Sequence, residues 1–90
     1  MERLVAAAIQ FKFADTDNMA VMMGKRHADI FFDMYLHNII YDKKSSIQGF
    51  WTDSNRFVDR YEAKKIAVAA KQLIVPEEQT FAQLFSEDVW

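Results

Sequence analysis

The chain has 90 residues, 51% of them hydrophobic and 14% aromatic, and a formal net charge of −2. A chain of this length forms one small domain, 1–90, and buries only about 60 to 65% of its unfolded surface, so it has more apolar side chains than its core needs. The near-neutral charge excludes duplex nucleic acid as a general electrostatic partner.

Two absences in the sequence bear on location. The chain has no cysteine, which excludes disulfides and thiolate metal sites and favours a cytoplasmic protein, in the host cell if a phage encodes it. Its start lacks the apolar region of a signal peptide, and no run approaches the roughly 20 apolar residues of a membrane span. We therefore expect no membrane partner.

The first half of the chain predicts a β-hairpin followed by a helix. Residues 4–13 alternate as a strand does, residues 15–18 are turn formers, and residues 19–24 form a second short strand ending at Gly24. From about His27 to Ile40 apolar residues recur at helical spacing. The main apolar row of this predicted helix contains Ala28, Phe31, Phe32, Tyr35, Leu36 and Ile39, with Ile30, Met34 and Tyr41 on a neighbouring face. So wide an apolar surface predicts a homo-oligomer, either a dimer or a larger ring.

The second half predicts two strands and a second helix. Residues 41–46 are polar and predict a connection, residues 47–52 a strand, and residues 53–55 a turn into the strand 56–58. Asp59 and Glu62 have the spacing of a capping box, and the helix that starts there continues to Pro76. The predicted fold is α+β, a small antiparallel sheet packed with two helices, and the apolar residues of the tail predict that it docks on this core.

The basic cluster Lys25, Arg26 and His27 is the first candidate site. It follows Gly24 at the start of a predicted helix, where free backbone N–H groups and the helix dipole favour an anion such as phosphate. The alternative is a solvated junction, although basic residues at the positive end of a helix are then slightly unfavourable.

The second candidate site lies in residues 49–62, which combine aromatic rings with arginines. One of the rings of Phe50, Trp51, Phe57 and Tyr61 could stack on a nucleotide base, although aromatic residues in short strands more often belong to a core. Arg56 and Arg60 could hold phosphates, and the alternative for both is a surface salt bridge.

Catalytic and metal sites find little support in the sequence. Asp29, Asp33 and His37 share a helix face, but a solvated polar face explains that spacing better than a metal does. There is no nucleophile elbow and no phosphate-binding loop of the Walker type. We expect a protein that is not an enzyme and needs no cofactor.

Three blocks of the sequence, residues 25–30, 49–63 and 84–90, resemble small phage proteins, and most closely the first type of Thoeris anti-defence sponge. The resemblance implies a non-enzymatic oligomer that sequesters cyclic ADP-ribose isomers, and in some members cyclic oligonucleotides at a separate site. It implies that Arg26 contacts phosphate, that Phe50 stacks on the ligand, and that Asn55 and Arg56 form the adjoining turn. The chain departs from the family pattern in its short segment before Gly49 and in having Lys71-Gln72 in place of Gly-Gln.

Two functions from different classes follow. The first is a phage anti-defence protein that binds a cyclic nucleotide signal in a pocket shared between subunits, without cleaving it. The alternative is a small structural or regulatory phage or bacterial protein, whose aromatic residues and arginines anchor a protein interface. A hydrolase is the third and least supported reading.

Overall fold

The computed structural model describes all residues, 1–90, and shows a four-stranded antiparallel sheet with two α-helices. The elements in chain order are β1 (Leu4–Phe13), β2 (Met19–Gly24), α1 (His27–Leu36), β3 (Tyr41–Thr52), β4 (Phe57–Asp59) and α2 (Arg60–Ala69). The strands are ordered β2-β1-β3-β4 across the sheet, and short 3-10 helices at Glu77–Gln79 and Ser86–Asp88 lie in the tail. The predicted α+β class is confirmed, and so is the hairpin of the first two strands.

Both helices pack on the same face of the sheet. Ala7 of β1 pairs with Phe50 of β3, which pairs with Val58 of β4, so these three side chains point to one face. They belong to a single buried cluster that also contains Ile30 of α1 and Ala63 of α2. We refer to this face as the inner face and to the opposite one as the outer face.

The predicted polar connection at residues 41–46 is wrong, because β3 begins at Tyr41 and includes it. The register explains why the sequence misleads: Gln10 pairs with Ile47 whereas Lys12 pairs with Asp42, so β3 carries extra residues opposite β1. The Ser45 hydroxyl stabilises this bulge by accepting from the Lys12 N–H at 2.9 Å and donating to the Asp42 carbonyl at 2.6 Å. Polar residues that usually mark a loop are here the hydrogen-bonding groups of a bulge.

Both helices end earlier than predicted, and for the same reason. Asn38 and Lys71 have positive φ angles of 54° and 58°. The N–H of the residue after each one donates to a carbonyl five residues earlier, Ile39 to Met34 and Gln72 to Ala67. This is the Schellman motif, which ends a helix even where the apolar pattern continues.

The buried side of α1 also differs from the prediction. His27, Ile30 and Met34 face the core, whereas Phe32, Tyr35 and Leu36 of the predicted main row are exposed. The neighbouring face is thus the one that packs on the sheet. In the main row Phe31 and Ile39 pack partly against the core, whereas Phe32, Tyr35 and Leu36 have no cover within the chain.

The start of α2 and the tail agree more closely with expectation. Asp59 caps α2 by accepting from the Glu62 N–H at 2.8 Å, but the Glu62 carboxylate does not return to Asp59 and pairs with Arg56 instead. Leu84 and Val89 of the tail are buried in the core, as predicted for a docked segment. Neither helix is long and apolar enough to cross a membrane.

Candidate functional site

The start of α1 is in contact with the end of the tail. Arg26, the N-cap residue of α1, has no side-chain cap, and its guanidinium lies 3.8 Å from a carboxylate oxygen of Glu87. The indole N–H of Trp90 donates to the carbonyl of Lys25. The predicted anion site therefore has a carboxylate of the same chain beside its arginine.

His27 is not a surface cation. Its ring is buried, and Nε2–H donates to the carbonyl of Gly49 in β3 at 2.7 Å. Burial lowers the pKa of His27 below its usual 6.5, and the positive charge of Arg60 lowers it further, against the raising effects of the Gly49 hydrogen bond and Glu87. His27 thus positions the start of α1 as a neutral side chain.

Phe50 is fully buried and has no exposed face on which a ligand could stack. Its ring makes edge contacts with His27, with centroids 5.2 Å apart, and with Trp90, at 5.9 Å. In this structure the tail therefore contacts three of the predicted ligand-binding residues: Glu87 meets Arg26, and Trp90 meets both Phe50 and Lys25.

Asn55 and Arg56 lie apart from this cluster, at the turn before the edge strand β4. Asn55 takes the left-handed turn conformation with a φ of 60°. Two guanidinium N–H groups of Arg56 donate to the carboxylate of Glu2 at 2.8 and 2.7 Å, and a third nitrogen lies 2.9 Å from Glu62. This pairing lowers the pKa of Glu2 to about 2 and raises the pKa of Arg56. Arg56 is fully paired and makes no hydrogen bond or ion pair with residues 25–27.

The arginine that does approach the basic junction is Arg60, the first residue of α2. Its charge acts on His27, and its guanidinium lies over the ring of Phe85, 4.8 Å from the centroid. Nη2 donates to the side-chain carbonyl of Gln48 at 2.5 Å, and no carboxylate lies within ion-pair distance. Nε is buried and has no hydrogen-bond partner. Arg60 is thus a partly desolvated cation that forms no ion pair, although the Asp59 carboxylate lines the same compartment.

Arg60 lines an open cleft, which we call the Arg60 cleft. One compartment has a volume of about 330 Å³ and is lined by Ser46, Ile47, Gln48, Asp59, Arg60, Tyr61 and Gln83. The adjoining compartment, of about 360 Å³, is largely apolar and is lined by Tyr61, Phe81, Ala82, Gln83 and Phe85. Tyr61 and Gln83 line both compartments, so a single ligand can reach from the cationic part to the aromatic part. Each volume lies at the lower end of the range of small-molecule sites.

The sequence indicates Arg60 as a possible phosphate ligand, but the predicted site contains Arg56 and not Arg60. The signal that distinguishes them was present in part, because the capping box places Arg60 in the first turn of a helix. Glu2, which neutralises Arg56, lies 54 residues away in the chain, so no local sequence pattern predicts this pairing. No three His, Asp or Glu side chains come together where they could hold a metal ion.

The chain matches a known protein family. Residues 3–90, nearly its whole length, match the family described as phage T4 y16D protein. The chain belongs to the phage T4 y16D protein family. This membership confirms the phage part of the resemblance found in the sequence. No curated protein and no solved structure matches the chain.

Proposed function

We propose that this phage protein binds a cyclic nucleotide signal, of the class of cyclic ADP-ribose isomers or cyclic oligonucleotides, and sequesters it without cleaving it. The observation that carries the proposal is the Arg60 guanidinium, which lines a cleft without a carboxylate partner and has a buried, unpaired Nε. A phosphate is the natural counter-ion for such a group because it accepts paired N–H donors from a guanidinium.

A phosphate in the cleft would interact mainly with the nearby charge of Arg60, so the small net charge of the protein does not argue against this role. An arginine in a partly desolvated site gains more from an anion than one in bulk water, because the effective dielectric constant is lower. Gln48 and Gln83 add amide donors and acceptors that fix the orientation of a ligand. Asp59 also lines the cleft, but its carboxylate accepts from the Glu62 N–H. One cation with two amides favours a small phosphate ester over a long polyanion.

The basic junction of α1 enters the proposal as an extension of the Arg60 cleft. Arg26 and Lys25 lie beside the tail, and Glu87 holds the place next to Arg26 that a second phosphate would take. Stacking on Phe50 would in turn require Trp90 to leave its ring. Binding at these residues therefore involves displacement of the last residues of the tail, whereas the Arg60 cleft is already open.

Calorimetry tests the proposal with one variant and a matched control. Cyclic ADP-ribose isomers and cyclic di- and trinucleotides are titrated into the wild type, Arg60→Gln and Arg56→Gln. We expect binding of at least one nucleotide, a loss of about tenfold or more in Arg60→Gln through the lost charge-assisted hydrogen bonds, and a change within about twofold in Arg56→Gln.

Two outcomes contradict this proposal. Absence of heat from every nucleotide at a protein concentration of about 100 μM excludes binding tighter than that concentration range. Equal losses in the two variants remove Arg60 from its role. Heating the complex and recovering the nucleotide separates sequestration from hydrolysis, since a sponge returns the ligand intact.

A protein interface is the second candidate function, and a specific observation favours it. Phe32, Tyr35 and Leu36 of α1 are 60%, 78% and 56% exposed and lie at i, i+3 and i+4, on one side of the helix. Aromatic side chains of this kind are common anchors of protein interfaces. This surface is separate from the Arg60 cleft, so a partner bound there is compatible with ligand binding.

A further inference from the structure

We propose that Phe81, rather than Phe50, is the residue that stacks on the base of the ligand, and that the Arg60 cleft therefore selects a nucleoside phosphate over a simple anion. The inference rests on the proposed function and adds the place and orientation of the ligand. Phe81 lies in the tail, outside the blocks that suggested the ligand site in the sequence.

Phe81 is an exposed ring on a fixed backbone. Its side chain is 71% exposed, yet its carbonyl accepts from the Lys64 ammonium at 2.7 Å, and the same ammonium donates to the Thr80 hydroxyl at 2.5 Å. The Thr80 hydroxyl in turn donates to the carbonyl of Glu77 at 2.6 Å. These bonds tie the backbone of the tail to α2, so the ring of Phe81 projects from a fixed backbone at the rim of the cleft.

The neighbours of Phe81 connect it to the cation. Its ring meets that of Phe85 edge to face, with centroids 6.1 Å apart, and the other neighbour of Phe85 is the Arg60 guanidinium at 4.8 Å. Phe85 thus links Phe81 to Arg60, while Tyr61 and Gln83 lie where the aromatic compartment meets the cationic compartment. A base on Phe81 and a phosphate on Arg60 fill the two compartments together.

The remaining lining residues suit a nucleobase. Tyr61, 55% exposed, lines both compartments and offers a second ring. Gln83 also lines both, and its amide can donate to and accept from the edge of a base. Stacking on an aromatic side chain tolerates any base because every base has a π face. The geometry therefore selects for the presence of a base and leaves its identity to the amides.

The test compares Phe81→Ala with Phe81→Trp, which keeps a stacking ring, and with Ile74→Ala as a control for an exposed apolar residue of the tail outside the cleft. The probe is whichever cyclic nucleotide of the panel binds the wild type most tightly, with ribose 5-phosphate as a competitor that has no base. We expect Phe81→Ala to lose about tenfold or more in affinity for the nucleotide, as in the removal of a stacking partner. Phe81→Trp and Ile74→Ala should remain within about threefold of the wild type, and competition by ribose 5-phosphate should be the same in all variants that bind.

The outcomes separate this inference from the function on which it rests. If the wild type binds a nucleotide and Phe81→Ala binds it equally well, the stacking role is overturned while sequestration stands. If Phe81→Ala weakens ribose 5-phosphate as much as the nucleotide, the residue supports the shape of the cleft and does not stack. If the wild type binds no nucleotide, the proposed function fails and this inference fails with it.

Discussion

At the scale of single residues, His27 shows how burial gives a titratable side chain a structural role. Its folded pKa is lowered from 6.5, chiefly by burial, so the unfolded chain takes up a proton at a higher pH than the folded chain does. The contribution of neutral His27 to the free energy of unfolding is therefore fully present above about pH 6.5. It decreases as the pH falls toward the lowered folded pKa. The shifted pKa of Glu2 affects stability only below 4.5, where that carboxylate begins to protonate in the unfolded chain.

This difference in proton uptake predicts a pH dependence that one substitution removes. Urea unfolding of the wild type between pH 8 and pH 5 should show a midpoint that falls below about pH 6.5. In His27→Gln, whose amide keeps an N–H donor for the Gly49 carbonyl, the midpoint should change little over the same range. His37→Gln replaces an exposed histidine and should retain the wild-type slope. If the urea midpoint of His27→Gln fell with pH as much as that of the wild type, the effect would belong to another group.

The candidate site could be predicted only in part at this scale. Residue type and helix position identified Arg26, Arg56 and Arg60 as possible phosphate ligands, but the charges that decide between them come from elsewhere in the chain. Arg56 is neutralised by Glu2 and Glu62, and Arg26 meets Glu87. Arg60 has no such partner, and only the folded chain reveals this.

At the scale of secondary structure elements, the first hairpin and the helix starts could be predicted, whereas the first half of β3 and the helix ends could not. Alternating side chains gave β1, and the cap at Asp59 gave the start of α2, because both patterns are local. The end of α2 depends on Lys71, whose residue type does not favour the left-handed conformation that it adopts. Tertiary contacts hold it there: the amide of Gln72 donates to the Leu4 carbonyl and accepts from the Leu4 N–H, both at 2.8 Å.

Lys71 provides the prediction at this scale. A non-glycine residue with a φ of 58° is strained, whereas glycine adopts that conformation freely, so Lys71→Gly should stabilise the protein by about 0.5–1 kcal/mol. Lys65→Gly, at an exposed position inside α2, should destabilise it by about 0.5–1 kcal/mol. Denaturant midpoints of the two variants measure both effects. A loss of stability in Lys71→Gly would mean that contacts of the lysine side chain outweigh the backbone strain.

At the scale of the whole molecule, the sheet and the helices leave two apolar surfaces uncovered. One is the α1 row of Phe32, Tyr35 and Leu36. The other is the outer face of the sheet, where Met23 pairs with Ala8 and is half exposed. An antiparallel sheet with one face in water normally alternates apolar and polar residues, and β2 does not. The excess of apolar residues noted in the composition is thus distributed over both sides of the molecule.

These two surfaces lead to a prediction about the assembly. We expect the wild type to sediment as a dimer or larger oligomer, because contiguous exposed apolar rows of this kind mark association sites in proteins of this size. Phe32→Glu/Leu36→Glu places two charges in the α1 row and should sediment as a monomer with unchanged circular dichroism, because an interface that buries them would leave the carboxylates unpaired. Met23→Glu places one charge on the outer face and should leave the oligomer intact. The reverse pattern would assign the interface to the sheet, and a monomeric wild type at about 100 μM would contradict self-association altogether.

Repeating the nucleotide titration on the monomeric variant then decides whether the Arg60 cleft is complete in one chain, since a pocket shared between subunits would lose affinity together with the oligomer.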